Sequence, residues 1–319
     1  MIPLSLSPAL RFAAITSAFV ALSAGLLAQA PQSAASSSAP SAASSTLVTS
    51  SATAPSLAAP PTRGLNLSLS SSSQYDDANG WSSTLTPTLS FRVNRFLSFD
   101  TSVPYYLATN TQVNIAAKGP AVFTKVTAHN AFGDTNVAAH LEFNSPKFSY
   151  SFSPSGALPS GDSYYNLSSN QPTYFLNNHF ETSFGIFNPD IEIGQGNSSS
   201  SVRRSAREAY IAVGPIASFQ IGTGISLPWN LDLDLEAFEV LPIGNQKVYG
   251  VVKRKNGKLA TVLQGAGVAE DNGFNVALDT AIARHFGIAA FYNRSLRQYD
   301  NTTGFALNYI LRAPKPSRD

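Results

Sequence analysis

Carboxylates stand at alternate positions in two stretches of the chain. Asp232, Asp234 and Glu236 form one series, and Asp190 and Glu192 form another. A spacing of two places each series on one face of a β-strand. Carboxylates aligned in that way attract cations when they border a water-filled passage, as in the acidic rings of cation channels. The plainer alternative is a hydrated wall whose charges are matched by Arg92, Arg312 and His140. Both readings remain open from the residues alone. The same parity argument yields the full set of candidate lumen-lining residues: Arg92, Asp100, Asp134, His140, Glu142, Glu181, Asp190, Glu192, Asp232, Asp234, Glu236 and Arg312.

Other chemistry has little support. The chain has no cysteine, so thiolate metal sites, cysteine nucleophiles and disulfides are excluded. The four histidines, His129, His140, His179 and His285, have no partner histidine at metal-ligand spacing. His179 follows Asn177 and Asn178, and no nucleophile accompanies it. There is no glycine-rich phosphate loop, no HExxH and no GxSxG. The chain is therefore not read as an enzyme, and neither a metal nor another cofactor is expected.

The elements that must carry these residues show a period of two. In residues 81–93, Trp81, Leu85, Leu89, Phe91 and Val93 alternate with Ser82, Thr84, Thr86, Thr88, Ser90 and Arg92. After Asn94-Arg95 the pattern resumes, with Leu97, Phe99 and Val103 against Ser98, Asp100 and Ser102. Thr135–Phe143, Phe148–Phe152, Trp229–Ala237 and Phe305–Leu311 behave alike. Charged residues are only 13% of the 319, yet mean hydropathy is −0.02. Serine, threonine and asparagine fill the difference. Neutral polar residues alternating with apolar ones suit a barrel with lipid outside and water inside. The net charge of +2 gives no reason to expect nucleic acid as a partner.

Twelve such segments lie near 64–75, 81–93, 96–108, 131–144, 147–158, 177–187, 190–197, 209–222, 228–240, 273–285, 287–297 and 302–312. Short turns are expected at Asn94-Arg95, Asn144–Pro146, Asn188-Pro189, Thr223–Leu227 and His285–Gly287. Long loops are expected at 109–130, 159–176, 198–208 and 241–272, with brief ones at Asp76–Gly80 and Arg297–Asn301. Short turns on one side and longer loops on the other mark an outer-membrane barrel. Asn256-Gly257 signals a hairpin within the last long loop. It forms an extension outside the membrane or, alternatively, two further wall strands that make fourteen. Lys118, Lys125, Arg203, Arg204, Arg207 and Lys247 place basic charge in the loops, where lipopolysaccharide phosphates could meet it.

Residues 1–30 read as a secretory signal: Arg11, an apolar run and Ala28-Gln29-Ala30. A membrane anchor is the alternative. Residues 31–62 are nearly all Ser, Ala, Pro and Thr and are expected to be a disordered linker. The barrel is assigned to 63–313 and a polar tail to 314–319.

Gly133-Asp134-Thr135 and Pro159-Ser160-Gly161-Asp162 carry a resemblance. Residues 132–181 resemble the bacterial outer-membrane barrel family named for a MetA-pathway of phenol degradation. That resemblance covers the general plan of most of 63–313 and implies import of aromatic compounds. The expectation is an all-β, antiparallel transmembrane β-barrel of about twelve strands in the outer membrane of a Gram-negative-type cell. It would sit among lipid and lipopolysaccharide, be inserted by the barrel-assembly machinery, and pass a small solute. A closed ligand-binding or structural envelope barrel is one alternative. A secreted soluble β-sandwich is another.

Overall fold

The computed structural model describes residues 63–77, 80–114, 123–165, 167–168, 172–197, 210–213, 216–243, 247–253, 259–265, 271–283, 285–297 and 299–312. The expected signal (1–30), linker (31–62) and tail (314–319) lie outside the described residues. So do Asn256-Gly257, Lys118, Arg203, Arg204 and Arg207.

The described elements are all strands. In chain order they are β1 (Gly64–Asp76), β2 (Gly80–Arg92), β3 (Leu97–Ser102), β4 (Tyr105–Asn114), β5 (Phe123–Phe132), β6 (Thr135–Asn144), β7 (Phe148–Leu158), β8 (Thr173–Thr182) and β9 (Phe187–Gly196). There follow β10 (Tyr210–Val213), β11 (Ile216–Leu227), β12 (Leu231–Pro242), β13 (Lys247–Lys253), β14 (Leu259–Gly265), β15 (Asp271–Ala283), β16 (Phe286–Ser295) and β17 (Asp300–Arg312).

β1 pairs with β2 on one side and with β17 on the other, which closes the sheet. The circuit runs β1-β2-β3-β6-β7-β8-β9-β11-β12-β15-β16-β17 and returns to β1, an antiparallel barrel of twelve strands. Closure matters because an open edge in hydrocarbon would leave backbone N–H and C=O groups unpaired, each at a cost of several kcal/mol.

β4 and β5 continue β3 and β6 upward, so the expected loop 109–130 is largely ladder, from Tyr105↔Phe132 to Asn114↔Phe123. Each long strand breaks at the same level. Val103-Pro104 faces Gly133-Asp134, and Gly133 N donates to Pro104 O at 2.8 Å. Pro104 has no N–H to return. A Cβ on Gly133 would stand 2.7 Å from Pro104 Cγ, so the close approach demands glycine. The hairpin expected in 241–272 is a separate sheet, in which β13 pairs with both β10 and β14. It adds no strand to the wall.

Two turns differ from the sequence reading. Asn188-Pro189 lies inside β9, and the chain reverses instead at Ser183–Ile186, with Gly185 at φ 67°. Pro189 is paired with Thr223 of β11, while the β8–β9 ladder stops at the adjacent Glu181↔Asp190, so β8 requires no N–H from it. Thr223–Leu227 is strand, and the reversal falls at Pro228–Asn230, where Trp229 and Asn230 take φ 72° and 58°. Gly224, which mimicked a turn, and Gly222 in the preceding segment both serve close packing of side chains.

The two faces differ as the period of two requires. Leu89, Phe91, Phe99, Ile191, Ile221 and Phe305 are 42–62% exposed, while Thr88, Ser90 and Asp100 on the other face are half-buried. The apolar set is therefore convex and the polar set concave. Outward aromatic rings gather near the short turns, where Phe96, Phe143, Tyr150, Phe180 and Phe148 follow one another at centroid distances of 4.8–6.4 Å. At the opposite end Tyr75 meets Trp81 at 5.6 Å and Tyr105 meets Phe132 at 4.9 Å. Two aromatic girdles flanking an apolar band are the pattern of a lipid-embedded barrel. Arg294 is outward but sits near the long-loop end of β16, where Nη1 donates to Asn301 Oδ1 at 2.7 Å.

Candidate functional site on the inner wall

The concave face divides into two unlike halves. Over β2, β3, β6 and β7 the charged groups are paired. Arg92, the last residue of β2, reaches across β3 to place Nη2 2.7 Å from Glu142 Oε2. Asp100 Oδ2 lies 2.7 Å from His140 Nε2, and His140 Nδ1 lies 2.9 Å from Ser153 Oγ. The β6–β7 ladder is interrupted here, between Ala138↔Ser155 and Leu141↔Phe152. Pro154 cannot donate to it, and the His140–Ser153 contact ties the two strands where the backbone does not. Ser153 was not singled out by sequence. It stands 13 residues from His140 and is one of many serines on an alternating strand, so only register brings the two together.

Over β8, β9, β11, β12 and β15 the balance is different. Glu181 is opposite Asp190, and His179 is opposite Glu192. The His179 ring nitrogens are 3.9 Å from Glu181 Oε2 and 3.8 Å from Glu192 Oε2. β11 runs between the carboxylates of β9 and β12 and carries glycine where they converge. A Cβ on Gly222 would meet Asp190 Oδ1 at 2.8 Å and Glu236 Cγ at 2.9 Å. One on Gly224 would meet Asp234 Oδ1 at 3.0 Å. The absent side chains let both acidic series lean over β11. Asp232 faces Asp279 of β15 in register. Asp279 was missed by sequence because its two nearest neighbours on that face, Ala277 and Ala281, are apolar and hide the alternation locally. Asn275 Nδ2 donates to Glu236 Oε2 at 3.1 Å, and Asn177 hydrogen-bonds Glu192.

Two candidates are placed apart from these groups. Asp134 precedes β6 and is 1% exposed, with Oδ1 accepting from Gly161 N at 3.0 Å. Thr135 N donates to Ser160 Oγ at 2.9 Å, and Asp162 N donates to Phe132 O at 2.8 Å. The two short motifs of the sequence thus bind one another. They tie the start of the 159–168 loop to the break in the long hairpin. Leu167 of that loop packs against Ala128 and Ala131. Asp134 is enclosed in this latch, which makes it a holder of the loop and not a wall residue. Arg312 ends β17 opposite Leu67, with its side chain outside the described residues.

Further toward the long-loop end, the inner face of β15, β16 and β17 is polar and tightly enclosed. Asp271 takes a hydrogen bond from Ser295 Oγ at 2.5 Å, and Asp76 takes one from Thr302 Oγ1 at 3.1 Å. Phe238 and Phe291 also project inward. Their ring tips would lie 2.8 and 2.7 Å from a Cβ on Gly273 and Gly304.

No family model matches the sequence, and no curated protein matches it. Solved structures do. The COG4313 outer membrane channel from Pseudomonas putida F1 superposes with a TM-score of 0.50 at 11% identity, over 79% of this chain and 97% of that one. The KdgM porin gives 0.45 at 10% identity, over 77% and 99%. The NanC porin gives 0.45 at 7% identity, over 76% and 98%. The first of these likenesses establishes the fold as that of an outer-membrane β-barrel.

Proposed function

We propose that the protein is a passive channel of the outer membrane that admits small solutes and favours cations. One observation carries this reading. Glu181, Asp190, Glu192, Asp232, Asp234, Glu236 and Asp279 share one wall of the concave face, with His179 among them. Acidic walls of that kind raise the local cation concentration and repel anions. Arg92, Asp100, His140 and Glu142 line the same lumen as a paired, nearly neutral wall. Twelve strands give a lumen wider than the filled interior of eight and narrower than the channel of sixteen. Lipid covers the apolar band, and the basic loops meet lipopolysaccharide phosphates at the outer surface. The barrel-assembly machinery inserts the chain.

The test is planar-bilayer recording of refolded protein across a KCl gradient. Steady conductance with a reversal potential of cation-preferring sign is the expected result. A barrel that inserts and conducts nothing would overturn the proposal.

A second reading keeps the channel and makes its solute aromatic. It is supported by the family resemblance and by the inward rings Phe238 and Phe291. Phenol added at millimolar concentration should then reduce the ionic current, and an unaltered current counts against it.

A further inference from the structure

The paired wall holds more than ties between strands. Asp100, His140 and Ser153 stand on the neighbouring strands β3, β6 and β7 and touch in that order. Asp100 Oδ2 lies 2.7 Å from His140 Nε2, and His140 Nδ1 lies 2.9 Å from Ser153 Oγ. An ionised carboxylate can only accept hydrogen bonds. Nε2 therefore carries the ring proton, and Nδ1 accepts from the Ser153 hydroxyl. This order of groups turns a serine into a nucleophile. The carboxylate fixes the tautomer, the imidazole takes the proton, and the hydroxyl oxygen attacks. The two ring nitrogens are exchanged relative to the serine proteases. Either nitrogen of a neutral imidazole can be the acceptor, so the chemistry is the same.

A fourth group adjoins the three. Asn177 of β8 is opposite Ser153 in register. Its amide nitrogen has two N–H groups, and the hydrogen bond to Glu192 uses one. The other can meet an oxygen that gains charge beside Ser153, as side-chain amides do in oxyanion holes. Solutes in the lumen can reach the row. The side chains of Asp100 and His140 are each 30% exposed, and Ser153 is half-buried.

We propose that Ser153 is an acyl-accepting nucleophile on the lumen wall that hydrolyses small carboxylic esters, with His140 as general base, Asp100 as its positioning residue and Asn177 as oxyanion donor. This goes beyond the passage of solutes and stands whether or not the barrel conducts. Ser153 Oγ bonds to the ester carbonyl carbon while its proton moves to His140 Nδ1. The bond to the leaving alkoxide breaks, and the same proton passes to the departing alcohol. Water then attacks the acyl-serine with His140 again as base, which releases the carboxylic acid and restores Ser153.

The test uses the refolded full chain in detergent, treated with a fluorophosphonate probe and with p-nitrophenyl acetate. The probe should label Ser153, located by peptide mass, and the ester should be cleaved faster than in buffer. Ser153→Ala should abolish both. His140→Asn should lower kcat about a hundredfold or more, and Asn177→Ala about a hundredfold. Asp100→Asn should lower kcat and keep KM, a split that simple loosening of the wall does not give. A folded barrel that is neither labelled at Ser153 nor active on the ester would overturn the proposal, as would undiminished cleavage by Ser153→Ala. Conductance of the same preparation reports on the channel reading separately. Labelling of the unaltered protein decides even where a variant fails to fold.

Discussion

The two halves of the inner wall follow the same period-two rule and share a ring of strands, but they handle charge in opposite ways. Over β2–β7, Arg92 meets Glu142 at 2.7 Å and His140 bridges Asp100 and Ser153. Over β8–β15, acidic residues crowd one another around Gly222 and Gly224, with His179 and the amides of Asn177 and Asn275 among them. The first half spends its polar groups on itself and stitches strands together. The second brings carboxylates together on one stretch of the concave face. Alternation decides which face a residue occupies, and cross-strand register decides whether its charge is neutralised.

The largest effect should come from behind the paired wall. Leu89→Arg places a charge on the lipid face and should destabilise the barrel by about 2–4 kcal/mol if it lies at the bilayer midplane. Thr88→Arg, one residue away on the concave face, should change stability little. Urea unfolding of the two in detergent or lipid checks this, and equal losses would invalidate the assignment of faces.

Next is Gly222→Ala on the acidic side. Its Cβ would approach Leu235 O at 2.9 Å besides the two carboxylate side chains. Backbone cannot yield as a side-chain tip does, so a loss of about 1–3 kcal/mol is expected in the same unfolding assay. A neutral outcome would mean that the carboxylates do not converge over β11.

Arg92→Met on the paired side should be milder, at about 1–2 kcal/mol, because Glu142 loses its partner yet keeps contact with water. Adding Glu142→Gln should recover part of that loss, which a double-mutant cycle measures. No recovery would say that the pair is idle.

The smallest stability effect belongs to Asp234→Asn with Asp279→Asn. Removing charges that repel one another should cost little, yet it should lower the potassium-to-chloride permeability ratio about twofold or more. Unchanged selectivity with a correctly inserted barrel would erase the distinction between the two walls.

Much of the fold was legible because the side-chain period of a strand is fixed by backbone geometry. The faces of β2, β3, β7 and β12 follow from their residues alone. Turn positions were less legible. Gly224 carries the same residue signal whether a chain reverses or a neighbour leans close, and Pro189 sits in a strand because its ladder with β8 has stopped while that with β11 continues through Thr223. The extent of the long hairpin was hidden because β4 bulges at Leu107, where its pairing with β2 shifts between Thr84↔Tyr106 and Ser83↔Ala108.

By itself the sequence determined an all-β chain with one greasy and one polar face, and the residues that share each face. That information is local, since a repeat of two residues is enough to write it. Which strands close the circle, which carboxylate meets arginine, that Ser153 completes the His140 contact, and that Asp279 joins the acidic side were decided only in tertiary structure. These depend on register between strands up to hundreds of residues apart, such as Asp76 and Thr302. Only the closed ladder sets that register.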